Sequence, residues 1–306
     1  MSLTKQIKNK GLVLDGAMSY ELERQGVDTN NELWTATALI DQLEKVYQTH
    51  WDYFEAGADL VITDTYQANV QAYEKAGYSS QEGKKFIADG VKIAKKARDD
   101  FERKTGKHNY VAGTIGAYGA YLADGSEYRG DYRLSKDEYL EFHLPRLETV
   151  IAEEPDLLAI ETQPKLDEPL ALLDWLSKNH PELPVYVSFT LLDSEHISDG
   201  TPISEVAKAI SKFSQVIGIG INCVKPDLVT DALKNFAENT EIPLVVYPNL
   251  GAVYDPKIKQ WKEFDQKYDF SKLTNEWYQI GARLIGGCCT TGPKQIKEIS
   301  NYFERL

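Results

Sequence analysis

The sequence predicts an α/β fold in which eight strand–helix units close into one (β/α)8, or TIM, barrel. Short β-rich runs alternate with longer amphipathic segments, and eight such pairs can be counted with no strand left over. The β-rich runs are apolar almost throughout, which is typical of parallel strands buried on both faces. At 306 residues the chain is long enough for one barrel, and no linker or repeat interrupts it. We therefore expect a single domain spanning residues 1–306.

In the first half of the chain, the predicted strands are residues 11–18 with their loop, 58–66, 110–119 and 156–162. Residues 38–56 are a predicted helix because apolar side chains recur at helical spacing from Leu39 to Phe54. Residues 81–104 form a helix with a basic face. The next helix begins at Ser135, where Glu138 completes a capping box, and stops near Pro155. Residues 166–178 form the helix after the fourth strand.

In the second half, the predicted strands are residues 183–192, 215–223, 242–247 and 282–288. The predicted helices are residues 203–213, 226–238, 273–280 and 293–303. Pro226 and Asp227 lie in a first helical turn, where both residue types are favoured. Two long polar and aromatic segments, 118–131 and 251–270, are expected to lie over the barrel mouth as functional loops.

Composition and charge exclude several classes of function. The formal net charge of −13 would repel nucleic acid, which needs a basic surface. No apolar run is long enough to cross a membrane, and the N-terminus lacks the apolar core of a signal peptide. Three cysteines, an odd number, do not form a disulfide framework. We expect a cytoplasmic, reduced protein that acts on small molecules, without nucleic acid or membrane partners, as a monomer or weak homo-oligomer.

All three cysteines lie at the ends of predicted strands, where the reactive residues of such barrels are found. Three thiols on one rim, Cys223, Cys288 and Cys289, would form a soft-metal site, and a catalytic zinc with three protein ligands keeps a fourth position open. Cys288 and Cys289 cannot both face inward from a regular strand, so such a site requires a turn, which residues 290–293 can supply. Three inert buried cysteines, or a disulfide between Cys288 and Cys289, are the alternatives.

Asp15 and Glu161 each end an apolar strand, where a carboxylate needs a partner or water. As a pair they could bind an ammonium group; otherwise they are ordinary helix caps or rim charges. The five histidines are scattered over predicted helices and their flanking loops, and none is assigned a role. The short glycine patterns at residues 113–116 and 218–220 predict tight packing within strands rather than a nucleotide-binding loop.

Short motifs extend in order over nearly the whole chain. The most specific are Gly220-Ile221-Asn222-Cys223 and Gly286-Gly287-Cys288-Cys289 at this spacing. The others are Leu14-Asp15-Gly16-Ala17-Met18 with Glu21-Leu22, Glu32-Leu33-Trp34, Ala56-Gly57-Ala58-Asp59, Thr65-Tyr66-Gln67-Ala68, Glu161-Thr162 and Tyr247-Pro248-Asn249. Together they resemble the homocysteine S-methyltransferases. Leu250 departs from the pattern, since relatives often have serine there, which weakens any role for that loop.

The resemblance implies a zinc-dependent barrel that methylates homocysteine to methionine. By position, Cys223, Cys288 and Cys289 would hold zinc, and the activated substrate thiolate would need no further catalytic residue. The implied substrate-binding residues are Asp15 and Glu161 for the homocysteine ammonium, the backbone N–H groups of Gly16 and Ala17 for its carboxylate, Trp34 and Tyr66 near the donor methyl group, and Asn222.

The chemistry of methyl transfer suits these residues. A free thiol has a pKa of about 8.5 and is a poor nucleophile until it is deprotonated, which zinc would achieve at neutral pH. Attack on a cationic methyl donor neutralises charge, so a dry pocket favours transfer, and an aromatic face such as that of Trp34 could hold the cation with about 0.5–2 kcal/mol. The resemblance favours S-methylmethionine, or S-adenosylmethionine, as the donor. We accordingly expect neither the extra segment of betaine users nor the further modules of cobalamin-dependent synthases.

Two rival interpretations stay open. One is a non-catalytic zinc-binding or thiol redox-sensing barrel, which leaves Asp15 and Glu161 without a role. The other is an unrelated barrel enzyme such as an aldolase. No apolar strand ends in the lysine that a Schiff-base aldolase requires.

Overall fold

The computed structural model of the protein describes residues 2–250, 253–255, 260–262 and 268–306. In chain order its strands are β1 (Leu12–Val13), β2 (Leu60–Ile62), β3 (Tyr110–Gly116), β4 (Leu157–Gln163), β5 (Val185–Phe189), β6 (Val216–Asn222), β7 (Leu244–Tyr247), β8 (Val253–Asp255), β9 (Gln260–Lys262) and β10 (Ala282–Ile285). Strands β8 and β9 form a separate antiparallel hairpin. The other eight strands are parallel and belong to one sheet.

The parallel sheet closes on itself as a barrel. Its strands pair in the order β1–β2–β3–β4–β5–β6–β7–β10, and a parallel bridge between Leu14 and Leu60 joins the two ends. Because β1 is short, two carboxylates supply the further hydrogen bonds that join β1 to β2. Asp59 accepts a hydrogen bond from the Val13 N–H at 2.9 Å, and Asp15 accepts one from the Ile62 N–H at 2.8 Å. The predicted eight-stranded barrel is confirmed.

Helices surround the barrel. They are α1 (Leu3–Asn9), α2 (Met18–Arg24), α3 (Ala38–Asp41), α4 (Leu43–Ala56), α5 (Val70–Lys75), α6 (Ser80–Thr105), α7 (Tyr118–Leu122), α8 (Lys136–Ala152), α9 (Asp167–Asn179), α10 (Ile203–Ile210), α11 (Pro226–Ala237), α12 (Phe270–Ile280) and α13 (Pro293–Phe303). Two 3₁₀ helices occupy Trp34–Thr37 and Ser126–Tyr128. Among the described residues, no helix is both long enough and apolar enough to cross a membrane.

Several predicted boundaries were wrong for identifiable reasons. The predicted helix 38–56 is divided at Gln42, whose backbone (φ −127°, ψ 33°) leaves helical geometry. The predicted strand 110–119 ends at Gly116, and the residues after it turn into α7. The predicted strand 282–288 ends at Ile285, so the glycine and cysteine pairs lie beyond it. Apolar composition continues past the last ladder hydrogen bond, and the pattern therefore overestimates strand length.

Other local predictions are confirmed. Ser135 caps α8, and both hydrogen bonds of the capping box with Glu138 are present. A side chain at Gly220 would lie 2.0 Å from the Val245 carbonyl oxygen, so this glycine serves close strand packing as expected. The predicted loop 251–270 lies mostly outside the described residues.

Side chains alternate between the two faces of each strand, and those that face inward form the floor of the barrel mouth. Leu157 and Ala159 belong to the apolar cluster inside the barrel, together with Ile7 of α1. Side chains two residues apart point to the same face of a strand, so Glu161 faces the interior one layer above Ala159. The barrel interior therefore ends in a carboxylate at the C-terminal ends of the strands, where such folds carry their reactive groups.

Candidate functional site

A cavity opens at the C-terminal mouth of the barrel. It is lined by all of the predicted site residues except Asn222, namely Asp15, Gly16, Ala17, Trp34, Tyr66, Glu161, Cys223, Cys288 and Cys289. The lining also includes Glu23, Asp64, Glu127 and Tyr128, to which the sequence analysis assigned no role. The segment 118–131 contributes Glu127 and Tyr128, so it lies at the mouth as predicted.

The three cysteine sulfur atoms meet at one point of this cavity. The Sγ atoms of Cys223, Cys288 and Cys289 all lie within 4.8 Å of one another, and those of Cys223 and Cys289 are 3.5 Å apart. All three are free thiols. A tetrahedral zinc ion with Zn–S bonds of about 2.3 Å separates its sulfur ligands by about 3.8 Å. The spacing of these sulfur atoms therefore fits one such ion.

Strand β7 brings the two cysteine segments together. It lies between β6 and β10, and consecutive carbonyl groups at its end serve both sides. The Tyr247 carbonyl accepts the Cys223 N–H at 3.1 Å, and the Pro248 carbonyl accepts the Cys288 N–H at 2.8 Å. The predicted turn follows at once: the Thr291 N–H donates to the Cys288 carbonyl at 3.0 Å. This turn separates Cys288 from Cys289 and allows both sulfur atoms to face the same point.

The thiols influence one another's ionisation. Hydrogen bonds from Cys288 and Cys289 lower the pKa of Cys223. Their contact with Cys223 raises the pKa of both Cys288 and Cys289. Three thiolates at this spacing repel one another, and a cation between them is what would favour the ionisation of all three.

Glu161 and Asp15 are held in place by the barrel itself. Glu161 accepts hydrogen bonds from the Thr114 hydroxyl on β3 and, at 2.9 Å, from the Tyr247 hydroxyl on β7. Burial raises the pKa of Glu161 to about 7. Burial also raises the pKa of Asp15, and the charge of Glu161 raises it further, which places the two carboxylates within electrostatic reach of each other. The pair suits a cationic group that would favour both charged forms.

Two of the predicted substrate contacts are already engaged with protein. The Ala17 N–H donates to the Thr291 carbonyl at 3.0 Å. Asn222 is fully buried, and both ends of its amide bind Thr162: Oδ1 accepts the backbone N–H at 2.9 Å and Nδ2 donates to the hydroxyl at 2.8 Å. Asn222 thus holds Thr162, which lines the cavity in a left-handed conformation with φ 58°.

Backbone strain is concentrated around the cavity. The described residues include six non-glycine residues with positive φ, and four of them line the cavity: Trp34, Ala123, Thr162 and Cys223. A fifth, Thr290, follows Cys289 directly. Such conformations cost about 1–3 kcal/mol each and persist where the surrounding structure enforces them, often at functional sites.

Sequence reasoning missed Tyr128. Its hydroxyl lies 3.1 Å from the Cys223 Sγ, because the 3₁₀ helix Ser126–Tyr128 folds back over the mouth. The segment is anchored by Glu168, a buried carboxylate that accepts the Tyr118 N–H and the Tyr132 hydroxyl, both at 2.6 Å. No sequence pattern gave Tyr128 a role, because it reaches the sulfur only through these distant contacts.

Sequence reasoning also missed a buried arginine beneath the mouth. Arg146 on α8 is 1% exposed, and its guanidinium donates to the carbonyl oxygens of Tyr66 (2.5 Å) and Gly116 (2.7 Å). His143, itself 2.7 Å from Glu168, contacts the same guanidinium. The network fixes the backbone after β2 and β3 and therefore positions Tyr66, whose ring packs edge-on against Trp34.

Apart from the thiols, the ionisable side chains that give the cavity its charge are all carboxyl groups. Five carboxyl groups line it: Asp15, Glu23, Asp64, Glu127 and Glu161. No lysine, arginine or histidine of the described residues does so. Burial raises the pKa values of both Asp64 and Glu127 to about 7. Such a cavity fits cationic ligands and disfavours anionic ones.

Comparison with known proteins agrees with this geometry. Residues 12–303 match the family model described as homocysteine S-methyltransferase. The chain is 42% identical over 300 residues to homocysteine S-methyltransferase YbgG of Bacillus subtilis, covering 96% of this chain and 95% of that protein. It is 42% identical over 288 residues to the homocysteine S-methyltransferase of Escherichia coli, covering 93% of each. The metallated crystal form of the Escherichia coli homocysteine methyltransferase MmuM superposes with a TM-score of 0.88 at 40% identity, covering 96% of both chains.

Proposed function

This chain belongs to the homocysteine S-methyltransferase family, and we propose that it transfers a methyl group from a sulfonium donor to homocysteine on a zinc ion, giving methionine. Membership of the family makes it a methyltransferase acting on homocysteine. The observation that carries the finer proposal is the convergence of three sulfur atoms in a cavity whose titratable lining is otherwise acidic.

Cys223, Cys288 and Cys289 would hold the zinc ion. Their Sγ spacing matches a tetrahedral site, and three protein ligands leave the fourth position for substrate. Zinc bound there would keep the homocysteine sulfur as a thiolate at neutral pH.

The remaining residues near the sulfur cluster would orient homocysteine. Glu161 and Asp15 offer paired carboxylates for its ammonium group. The Gly16 N–H is the candidate for its carboxylate, because the Ala17 N–H is engaged by Thr291. For Asn222 we propose an indirect role, in which it positions Thr162 rather than contacting the substrate.

The methyl donor would approach past Trp34 and Tyr66. As the homocysteine sulfur forms its bond to the methyl carbon, the donor's sulfur–carbon bond breaks and its electron pair stays on the donor sulfur, which becomes a neutral thioether. The positive charge of the donor and the negative charge of the thiolate disappear together, so a site shielded from water favours the step. Aromatic faces and nearby carboxylates such as Glu127 stabilise the cationic donor before transfer.

Methionine formation tests the proposal. Purified, zinc-loaded protein is incubated with homocysteine and either S-methylmethionine or S-adenosylmethionine, and methionine is quantified with and without a zinc chelator. We expect methionine from a sulfonium donor, and complete loss of activity on chelation while the circular dichroism of the barrel is retained. Activity that survives full removal of zinc would refute the metal's role, and zinc binding without any turnover would favour the non-catalytic interpretation.

A further inference from the structure

Asp64 is a carboxylate that the site described above leaves unused. It follows β2, lines the cavity and is only 3% exposed. Within the described part of the chain, its Oδ2 atom has no hydrogen-bond partner. A buried carboxylate without a partner costs free energy, so an unsatisfied one in a binding cavity calls for an explanation.

The protein offers Asp64 little compensation. Burial raises the pKa of Asp64 to about 7, and the Thr35 side chain, which favours the ionised form, offsets this only in part. Tyr73 also lies within electrostatic reach of Asp64, but its hydroxyl donates to the Ala36 carbonyl at 2.9 Å. No other carboxylate contributes to the pKa shift of Asp64, in contrast to Asp15, which is affected by Glu161. Asp64 is therefore separate from the Asp15–Glu161 pair.

The barrel places Asp64 across the mouth from Cys223. Strand β2 is four strands away from β6 in either direction around the ring of eight, so the residues after β2 face Cys223 across the mouth. Trp34 and Tyr66 form a T-shaped aromatic pair with centroids 6.2 Å apart, and both line the cavity. Tyr66 lies within electrostatic reach of Cys223, and Trp34 directly precedes Thr35, which acts on Asp64. A donor whose methyl group points at the sulfur cluster would extend past these rings toward Asp64.

We propose that Asp64 binds the ammonium group of an amino-acid sulfonium donor and thereby selects donors that carry this second positive charge. This inference rests on the proposed function, since it assigns the far end of the same methyl donor. An ammonium group supplies both the charge and the hydrogen bonds that the Asp64 carboxylate lacks. The homocysteine ammonium would remain with Asp15 and Glu161.

The test is the isosteric variant Asp64→Asn, compared with Glu23→Gln. Glu23 also lines the cavity, but it is exposed and bound by the Thr29 hydroxyl, so its variant removes an equal charge without a buried carboxylate. The KM for S-methylmethionine and for homocysteine is measured, together with the inhibition constant of the desamino analogue of S-methylmethionine. The analogue keeps the sulfonium and carboxylate groups but has no ammonium.

For Asp64→Asn we expect the KM for S-methylmethionine to rise about 10-fold or more, because a charge-assisted contact is lost. The KM for homocysteine and the inhibition constant of the analogue should change less than about 2-fold, as should all three constants in Glu23→Gln. An unchanged KM for S-methylmethionine would overturn the proposal. Equal weakening of S-methylmethionine and the analogue would overturn it too, since the ammonium would then not be the group recognised.

Two further measurements distinguish a failure of this proposal from a failure of the proposed function and from misfolding of the variant. Calorimetric binding of S-methylmethionine to both proteins tests the Asp64 contact without turnover. If the wild-type enzyme forms no methionine from this donor, the proposed function fails, whereas loss of binding in Asp64→Asn would still support the contact. Thermal melting confirms that the variant is folded, and we expect Asp64→Asn to melt at or above the wild-type temperature at pH 8.

Discussion

The Asp15–Glu161 pair and Asp64, two sets of carboxylates in the cavity, differ in how they are held. In the first set, both oxygens of Glu161 accept hydroxyl hydrogen bonds, from Thr114 on β3 and Tyr247 on β7, and Asp15 accepts a backbone N–H that closes the barrel. By contrast, Asp64, which follows β2, is more deeply buried than Glu161 but leaves one oxygen without a partner among the described residues. The barrel fixes one set of charges and leaves the other unsatisfied.

We infer from this difference that the fixed carboxylates orient homocysteine, whereas the unsatisfied carboxylate selects the methyl donor. Groups fixed by the strands can hold homocysteine in one geometry relative to the sulfur cluster, which lowers the entropic cost of reaction. A buried carboxylate that lacks a partner is stabilised most by a ligand that supplies the missing charge and hydrogen bonds. It therefore discriminates between donors with and without an ammonium group.

The largest effect is expected at the sulfur cluster. Replacing Cys223 or Cys289 by serine removes one of three thiolate ligands, so zinc content should fall below one ion per chain and methionine formation should fall by more than about 100-fold. Metal analysis and activity are measured on the same preparation, with circular dichroism as the control for folding. A variant that loses zinc but retains activity would contradict the metal's role.

Glu161→Gln should have the next largest effect. Loss of a charged partner for the homocysteine ammonium should raise the KM for homocysteine about 10- to 100-fold, while zinc content is unchanged. Glu23→Gln serves again as the charge-matched control. Parallel loss of zinc and homocysteine binding would show that Glu161 supports the metal site rather than the substrate.

Tyr128→Phe should have a moderate effect confined to the metal. The hydroxyl of Tyr128 lies 3.1 Å from the Cys223 Sγ, and loss of such a contact to a metal ligand typically weakens metal affinity about 10-fold. Competition with a chromogenic chelator measures the affinity. Unchanged zinc affinity would mean that Tyr128 only covers the cavity.

The smallest effect is expected in the stability of Asp64→Asn, and it has the opposite sign. Burial raises the folded-state pKa of Asp64 from its ordinary 3.8 to about 7, so folding favours the protonated form. Below pH ~4 the carboxyl group is protonated in both the folded and the unfolded state and costs the fold nothing. As the pH rises from there through 7, where the group ionises in the buried site, the free energy of unfolding decreases. The asparagine variant avoids this loss, on the order of 1–4 kcal/mol.

We therefore expect the melting temperature of Asp64→Asn, relative to wild type, to rise by about 2–8 °C between pH 4.5 and pH 8. Melting curves of both proteins at the two pH values provide the measurement. A difference that does not depend on pH would show that Asp64 is not buried as a proton-binding carboxylate.

The barrel and the sulfur cluster could be predicted because each depends on a local pattern. Apolar runs identify strands buried on both faces, and the cysteines follow two of those runs directly. The turn between Cys288 and Cys289 was also predictable from the small residues that follow.

Residues whose roles depend on tertiary contacts could not be predicted. Tyr128 approaches Cys223 because Glu168 anchors its segment, and Arg146 acts on Tyr66 from a helix that appears unremarkable in sequence. Asp64 lies near the end of the predicted strand 58–66, but its lack of a partner among the described residues is evident only once its neighbours are placed. Asn222 illustrates the reverse case, since a residue within a specific motif binds Thr162 instead of lining the cavity.

X-ray absorption spectroscopy at the zinc edge tests the central claim most directly, because it counts the sulfur atoms around the metal. With zinc-loaded protein alone, we predict three sulfur ligands at about 2.3 Å and one lighter ligand. On addition of homocysteine, we predict a fourth sulfur at the same distance in place of the lighter ligand. A sulfur count that stays at three when homocysteine is saturating would contradict the account.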